Sequence, residues 1–344
     1  MTHPLPTRPL GRSGLTVSSI GFGAAPIGDL YAVLDDAEAI GAVSAAHAAG
    51  ITLFDVAPLY GHGLAEQRCG IALRQVPRDS FVLSTKVGRW MDPTRDRGNG
   101  SGYVGGLPQG AVIDYSYDGT MRSFEQSLLR LGLDRIDLLL IHDVDVWTHG
   151  KDMIERRFAE AMNGCYRALN ALRSSGAIRA IGIGVNEVEI SERFASAGDF
   201  DTMLLAGRYS LLEQPALANF LPMAQKRGIG IMLGGVFNSG ILATGAKAGA
   251  RYNYAPAPPA ILERVGHMER ICAAHGAVLA EVALQFALAH PAVSSLVLGA
   301  TTAAEVRRNI DALNRQIPSQ LWRDLQQEGL LDSAAPIPVR DTPT

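Results

Sequence analysis

Ile51-Thr-Leu-Phe-Asp55-Val-Ala-Pro-Leu-Tyr60-Gly-His-Gly63 is a short apolar run that ends in an acid, turns, and presents a tyrosine five residues later. An apolar stretch closed by an acid reads as a strand buried on both faces, its carboxyl end opening into a loop. Phe81-Val-Leu-Ser-Thr-Lys86 and Ile136-Asp-Leu-Leu-Leu-Ile-His142 repeat the design, each apolar and each closed by an ionisable side chain. In a closed barrel of alternating strands and helices the carboxyl ends of the strands share one mouth, and chemistry sits there. Asp55, Lys86 and His142 are therefore expected to converge beside Tyr60.

Outward from this stretch, strand-like runs recur at residues 19–23, 178–184, 202–206, 229–234 and 294–298, with helix-like segments between them. Eight strand–helix units predict an α/β fold, a single (β/α)8 TIM barrel, in preference to an open sheet. A hairpin over 8–18, bracketed by Gly11 and Gly14, precedes the first strand and is placed to plug the barrel floor. Helices are expected from the Asp35-Asp36 cap to residue 49, over 62–74, 117–131, 155–174 and 318–330, from Ala303, and as a pair before His290. Two long loops, 88–114 and 235–259, interrupt the rhythm; the first carries Pro93, Gly98, Gly100, Gly102, Gly105, Gly106 and Pro108 and reads as irregular. Residues 331–344 read as a loose tail, and 1–344 as one domain.

The 344 residues are 47% hydrophobic and 19% charged, enough apolar content for a large core, and the net charge of −3 is scattered. That pattern offers neither a basic stripe for nucleic acid nor a Lys/Arg cluster for an anionic membrane, so the expected partner is a small molecule. Cys69, Cys165 and Cys272 stand far apart, without zinc or disulfide spacing. With no apolar leader and no run of about 18 apolar residues, a reduced cytoplasmic protein is expected.

A lysine closing a buried strand needs a partner, because unpaired burial costs several kcal/mol, and Asp55 on the adjacent strand supplies it. Alone, such a pair reads equally well as a structural bridge beside a core tyrosine. The strand-end His142 tips the balance toward chemistry, since a neutral imidazole can hold a reacting oxygen. Ionising a tyrosine at pH 7 costs roughly 4 kcal/mol, and the Lys86 ammonium is expected to lower that cost at Tyr60. His62, His142 and His149 lack metal-ligand spacing, so no metal is expected. Gly21-Phe-Gly23 runs on as Ala24-Ala25-Pro26 and does not open a helix, which argues against a Rossmann site. Gly182-Ile-Gly-Val-Asn186 and Val297-Leu-Gly-Ala-Thr301 end late strands, where barrels hold phosphates.

At these residues the chain resembles the aldo-keto reductase superfamily over nearly its full length. Leu10-Gly-Arg-Ser-Gly-Leu-Thr-Val-Ser-Ser-Ile-Gly-Phe-Gly23 is similar to that family's opening signature, and Asp55, Tyr60, Lys86 and His142 match its catalytic tetrad. Asp114-Tyr-Ser-Tyr-Asp-Gly-Thr-Met-Arg-Ser123, Leu131-Gly-Leu-Asp-Arg-Ile-Asp137, Ile141-His-Asp143 and Phe237-Asn-Ser-Gly240 resemble the aldose 1-dehydrogenase branch. That branch holds L-fucose (D-threo-aldose) and L-galactose dehydrogenases, with pyridoxal 4-dehydrogenase close by.

The resemblance implies a nicotinamide cofactor across the mouth, near Asn186, Phe237, Ser239 and Gly240, with its adenosine end near Gly299, Thr301, Glu305 and Asn309. Ala206, Val185 and Gly234 stand where the broader family often has glutamine, serine and an aromatic residue. Gly299 and Glu305 replace the Lys and Arg usual in NADP-preferring relatives, so NAD is expected, with NADP the alternative through Arg307 or Arg308. The implied reaction oxidises the C1 hemiacetal of an aldose of the L-fucose, L-galactose or D-arabinose type to its lactone. The alternatives are oxidation of pyridoxal to 4-pyridoxolactone or a general aldehyde and ketone reductase. A Schiff-base lyase using Lys86 and a non-catalytic cofactor-sensing subunit are the competing classes. Tyr31, Trp90 and Trp147 are the expected substrate wall.

Overall fold

The computed structural model of the protein describes residues 5–98 and 102–338; Gly100 of the first glycine-rich loop and the end of the tail, 339–344, lie outside the described residues. Strands β1 (Ile20–Gly23), β2 (Leu53–Asp55), β3 (Val82–Val87), β4 (Leu138–His142), β5 (Ala180–Val185), β6 (Thr202–Ala206), β7 (Gly230–Gly234) and β8 (Val293–Gly299) each pair in parallel with the next. β8 returns to β1 and closes the barrel, as the eight strand–helix units predict.

Pairing register decides what faces the mouth, because residues opposed in parallel strands point to the same side and the pattern repeats every second residue. Asp55 lies opposite Ser84, Lys86 opposite Leu140, and His142 opposite Gly184. Asp55, Lys86 and His142 therefore all point into the barrel at its carboxyl end. Beneath them, Leu53, Leu138, Leu140, Leu204 and Met232 fill the interior, and the hairpin of Thr7–Pro9 with Thr16–Ser18 closes the floor by inserting Leu10, Leu15 and Val17.

Helices α1 (Asp36–Ala48), α2 (Leu64–Leu73), α3 (Tyr117–Leu131), α4 (Ile154–Asn163), α5 (Cys165–Ser174), α6 (Val188–Ala197), α7 (Phe220–Arg227), α8 (Pro259–Ala274), α9 (Leu279–Ala289), α10 (Ala303–Asn314) and α11 (Ser319–Gln327) cover the outside. At α1 the Asp35 carboxylate accepts the Glu38 N–H, and acids at the start with His47 at the end suit the helix dipole. No single helix among the described residues is long and apolar enough to cross a membrane.

Three expectations are corrected. The helix read over 155–174 is two, broken at Gly164: a Cβ there would meet the Tyr115 carbonyl oxygen at 2.0 Å, the oxygen that accepts the Cys165 N–H. The helix read from residue 62 starts at Leu64, because Tyr60–Gly63 is a tight turn with Gly61 and His62 at φ of 61° and 53°. The long loops are not wholly irregular. Arg89–Asp92 pairs antiparallel with Gly110–Ile113, and the second loop holds a helical turn, Ile241–Thr244, and a small ribbon.

Around Tyr60 three loops touch backbone to backbone. A Cβ on Gly61 would meet the Gly28 carbonyl oxygen at 2.4 Å, and one on Gly106 would meet the Gly61 carbonyl oxygen at 2.5 Å. Leu107 N–H donates to that same Gly61 oxygen at 3.0 Å.

Candidate active site

Lys86 Nζ donates to Asp55 Oδ2 at 2.6 Å and to the Val56 carbonyl at 2.9 Å, and Ser84 Oγ donates to Asp55 Oδ1 at 2.7 Å. Both side chains are buried, and each oxygen of the carboxylate is bonded, the condition under which a buried ion pair is tolerated. Lys86 Nζ lies 4.9 Å from the centre of the Tyr60 ring. An ammonium held in this way is not placed as a free Schiff-base nucleophile.

Tyr60 meets His142 edge-on, ring centres 6.0 Å apart, so the structure brings the four expected residues together. Burial, then the Asp55 carboxylate, then Tyr103 and Asp143, raise the Tyr60 hydroxyl well above its ordinary value of 10. This corrects the expectation that Lys86 lowers it: the ammonium is bonded to Asp55 and faces the ring. His142 is lowered well below 6.5, by burial first and then by the cations of Arg89 and Lys86, so its imidazole is neutral. A neutral imidazole beside a neutral phenol offers two hydrogen-bond donors to one oxygen.

Arg89 and Asp143 form a second charged pair at 2.8 Å, and Asp143 Oδ1 lies 3.3 Å from His142 Nε2. Neither residue was singled out for a role in the sequence, although Arg89 stands three residues after Lys86 and Asp143 directly after His142. Trp90, placed by sequence in the substrate wall, sits on the opposite side of its short strand. Its indole stacks on Arg122, 3.6 Å from the guanidinium carbon, and its N–H reaches Asp114 at 3.3 Å. Strand alternation therefore turns Arg89 toward the mouth and Trp90 away from it.

Tyr103 takes the place expected for Trp90, its ring centre 6.0 Å from that of Tyr60 and tilted by 32°. Tyr254 meets Trp147 edge-on at 6.2 Å, and the Tyr31 ring lies under the Arg251 guanidinium at 5.3 Å. Burial raises Tyr103 and Tyr254, and Asp143 adds to both. Tyr31 and Trp147 are half-exposed at the rim. Tyr103 and Tyr254 lie in loops without periodic pattern, so no sequence signal marked them.

Trp147, Asn186, Gly207, Arg208, Gly235, Ser239 and Tyr254 line a narrow cleft beyond the ends of β5, β6 and β7. Asp145, fully buried, receives the Asn186 backbone N–H at 3.2 Å and its Nδ2 at 3.3 Å, which fixes the direction of that amide. Ala206, Gly207 and Gly235 bring little or no side chain to this cleft, and Asn186 and Ser239 belong to its polar lining. These features fit a nicotinamide. Phe237 packs against the core and Gly240 opens the turn Ile241–Thr244. Farther along, Gly299 ends β8, and Thr301 N–H and Oγ1 donate to Glu305 Oε2 at 2.8 and 3.0 Å. Glu305 Oε1 lies 3.6 Å from Arg308, and Asn309 is half-buried on α10. Thr302 caps α10 by accepting the Glu305 N–H, so Glu305 serves its helix as well as facing the loop.

The sequence model of the Aldo/keto reductase family matches residues 19–328. The pyridoxal 4-dehydrogenase of Microbacterium luteolum is 43% identical over 94% of this chain and 97% of its own. The D-threo-aldose 1-dehydrogenase of a Pseudomonas species is 37% identical over 93% of this chain and 96% of its own. Among solved structures, an aldo-keto reductase of Bacillus halodurans in its holo form superposes with a TM-score of 0.71 at 24% identity, over 94% of this chain and 96% of that one.

Proposed function

The chain belongs to the aldo/keto reductase family, and from that premise we propose that it oxidises a flat cyclic hemiacetal, that of pyridoxal, to the lactone with NAD. The observation that carries the substrate is the aromatic mouth: Tyr103 lies alongside Tyr60, with Tyr254 and Trp147 beyond it. A planar pyridine gains most from such a wall. The similarity to a pyridoxal 4-dehydrogenase supports the same reading. An aldose of the L-fucose type is the second reading, favoured by the Arg89–Asp143 pair, which suits a substrate rich in hydroxyls.

A bound nicotinamide would supply the hydride acceptor. The hemiacetal hydroxyl gives its proton to the Tyr60 oxygen, and His142, neutral, donates its N–H to the same reacting oxygen. Lys86, fixed by Asp55, stands 4.9 Å from the centre of the Tyr60 ring and positions it by a cation–π contact. Asn186, oriented by Asp145, would hold the carboxamide end, and the residues from Gly299 to Asn309 the adenosine end. Glu305, tied to Thr301, and the side-chain-free Gly299 offer no cation to a 2′-phosphate, and Arg308 is paired with Glu305. This supports NAD over NADP.

The test is turnover of pyridoxal, L-fucose, L-galactose and D-arabinose at equal concentration, each with NAD and with NADP. The expected result is the highest kcat/KM for pyridoxal with NAD. Sugars alone turning over would install the second reading, faster turnover with NADP would overturn the cofactor choice, and no turnover of any substrate would overturn the reaction.

A further inference from the structure

Asp143 follows His142 at a φ of 53°, a left-handed backbone that residues other than glycine seldom adopt. Its carboxylate has two distinct neighbours: Oδ2 accepts from Arg89 at 2.8 Å, and Oδ1 stands 3.3 Å from His142 Nε2. The side chains of Arg89 and Asp143 are 7% and 14% exposed, so this pair is sequestered at the mouth. A purely structural bridge accounts for Oδ2. That bridge leaves Oδ1, beside His142 Nε2, able to accept a further hydrogen bond.

We infer that Asp143, held in place by Arg89, determines specificity by accepting a hydrogen bond from a substrate hydroxyl borne within two bonds of the reacting carbon. The 3-hydroxyl of pyridoxal and the 2-hydroxyl of an aldose both meet that description. This rests on the hemiacetal oxidation proposed above and deepens it. A hydroxyl donating to a carboxylate makes a charge-assisted bond. A substrate lacking the hydroxyl leaves the acceptor facing an apolar group, and sites built for a hydroxyl reject such analogues strongly. Simple aldehydes are thereby disfavoured without any steric block.

The experiment measures kcat/KM for the wild type, Asp143→Asn and Asp143→Gly on two pairs: pyridoxal against 3-deoxypyridoxal, and L-fucose against its 2-deoxy analogue. Asn and Gly both tolerate the left-handed backbone, Asn keeps an acceptor for Arg89, and thermal melting of each variant checks that the fold is retained. The wild type is expected to prefer the hydroxylated member of the active pair by about ten- to a hundredfold. Asp143→Gly is expected to lower kcat/KM on the hydroxylated member about ten- to a hundredfold more than on the deoxy member, so that the preference disappears, and Asp143→Asn to fall between. A residue acting only through structure or through His142 slows both members equally, and that result would overturn the inference while the reaction stands. A wild type inactive on both pairs overturns the reaction and this inference together.

Discussion

At Tyr60 two influences oppose each other: burial and the nearby acids favour the phenol, while oxidation of a hydroxyl needs the phenolate. Because the raised pKa leaves little phenolate at neutral pH, the oxidation rate should climb about tenfold per pH unit on the alkaline side until Tyr60 titrates. The reverse reduction uses the phenol, the form already present, and should stay level before falling in alkali. His142, neutral throughout this span, adds no limb of its own. Measuring kcat/KM in both directions against pH checks this, and a level oxidation profile would remove Tyr60 from the proton's path. Tyr60→Phe should lower turnover by about a hundred- to ten-thousandfold while nicotinamide binding, followed by fluorescence titration, is retained. Asp55, Lys86 and His142 were legible because each closes an apolar strand, where the pleat leaves only one direction to point. Arg89 and Asp143 were not, since which of Arg89 and Trp90 faces inward depends on a ribbon in which they pair with Ile113 and Val112, across the intervening loop.

Elements were legible where their own residues dictate them. The strand over Thr202–Ala206 and the helix over Tyr117–Leu131 carry their patterns and stops within themselves, down to Gly132 at the helix end. The division of α4 from α5 is fixed from outside, by the backbone of Tyr115 pressing on Gly164, and the only local sign of it is the Asn163-Gly164 pair. Gly164→Ala should therefore cost about 1–3 kcal/mol in chemical denaturation, although alanine is the better helix former. A stabilised variant would show that the break is not forced by that contact. Glu305 illustrates the converse case, in which a side chain proposed for the cofactor end of the site is also claimed by its own helix through Thr301 and Thr302.

For the whole molecule, the barrel could be read because eight apolar strands in strict alternation with helices admit few other arrangements, and the floor hairpin because its leucines have one interior to enter. Stability across pH is a property at this scale. His290 is buried, its Nδ1 accepts the Ala292 N–H at 3.1 Å, and burial lowers it to about 4; His142 and His149 are lowered as well. The unfolded chain protonates these imidazoles from about 6.5 downward, while the folded one does not. Stability is therefore whole above that pH and declines as pH falls toward 4, the folded-state value at His290. Thermal melting of the wild type and of His290→Gln should both fall with acid, the variant less steeply; parallel curves would clear His290 of the effect. The contact of Gly28, Gly61 and Gly106 around Tyr60 has a bearing on how such a protein changes over generations. Three loops locked through bare backbone act as one frame, and any side chain added at the junction displaces the tyrosine with it. New substrates must then be acquired at the tips, through Tyr31, Tyr103, Trp147 and Tyr254, so divergence within such a lineage alters what is recognised and leaves the chemistry untouched.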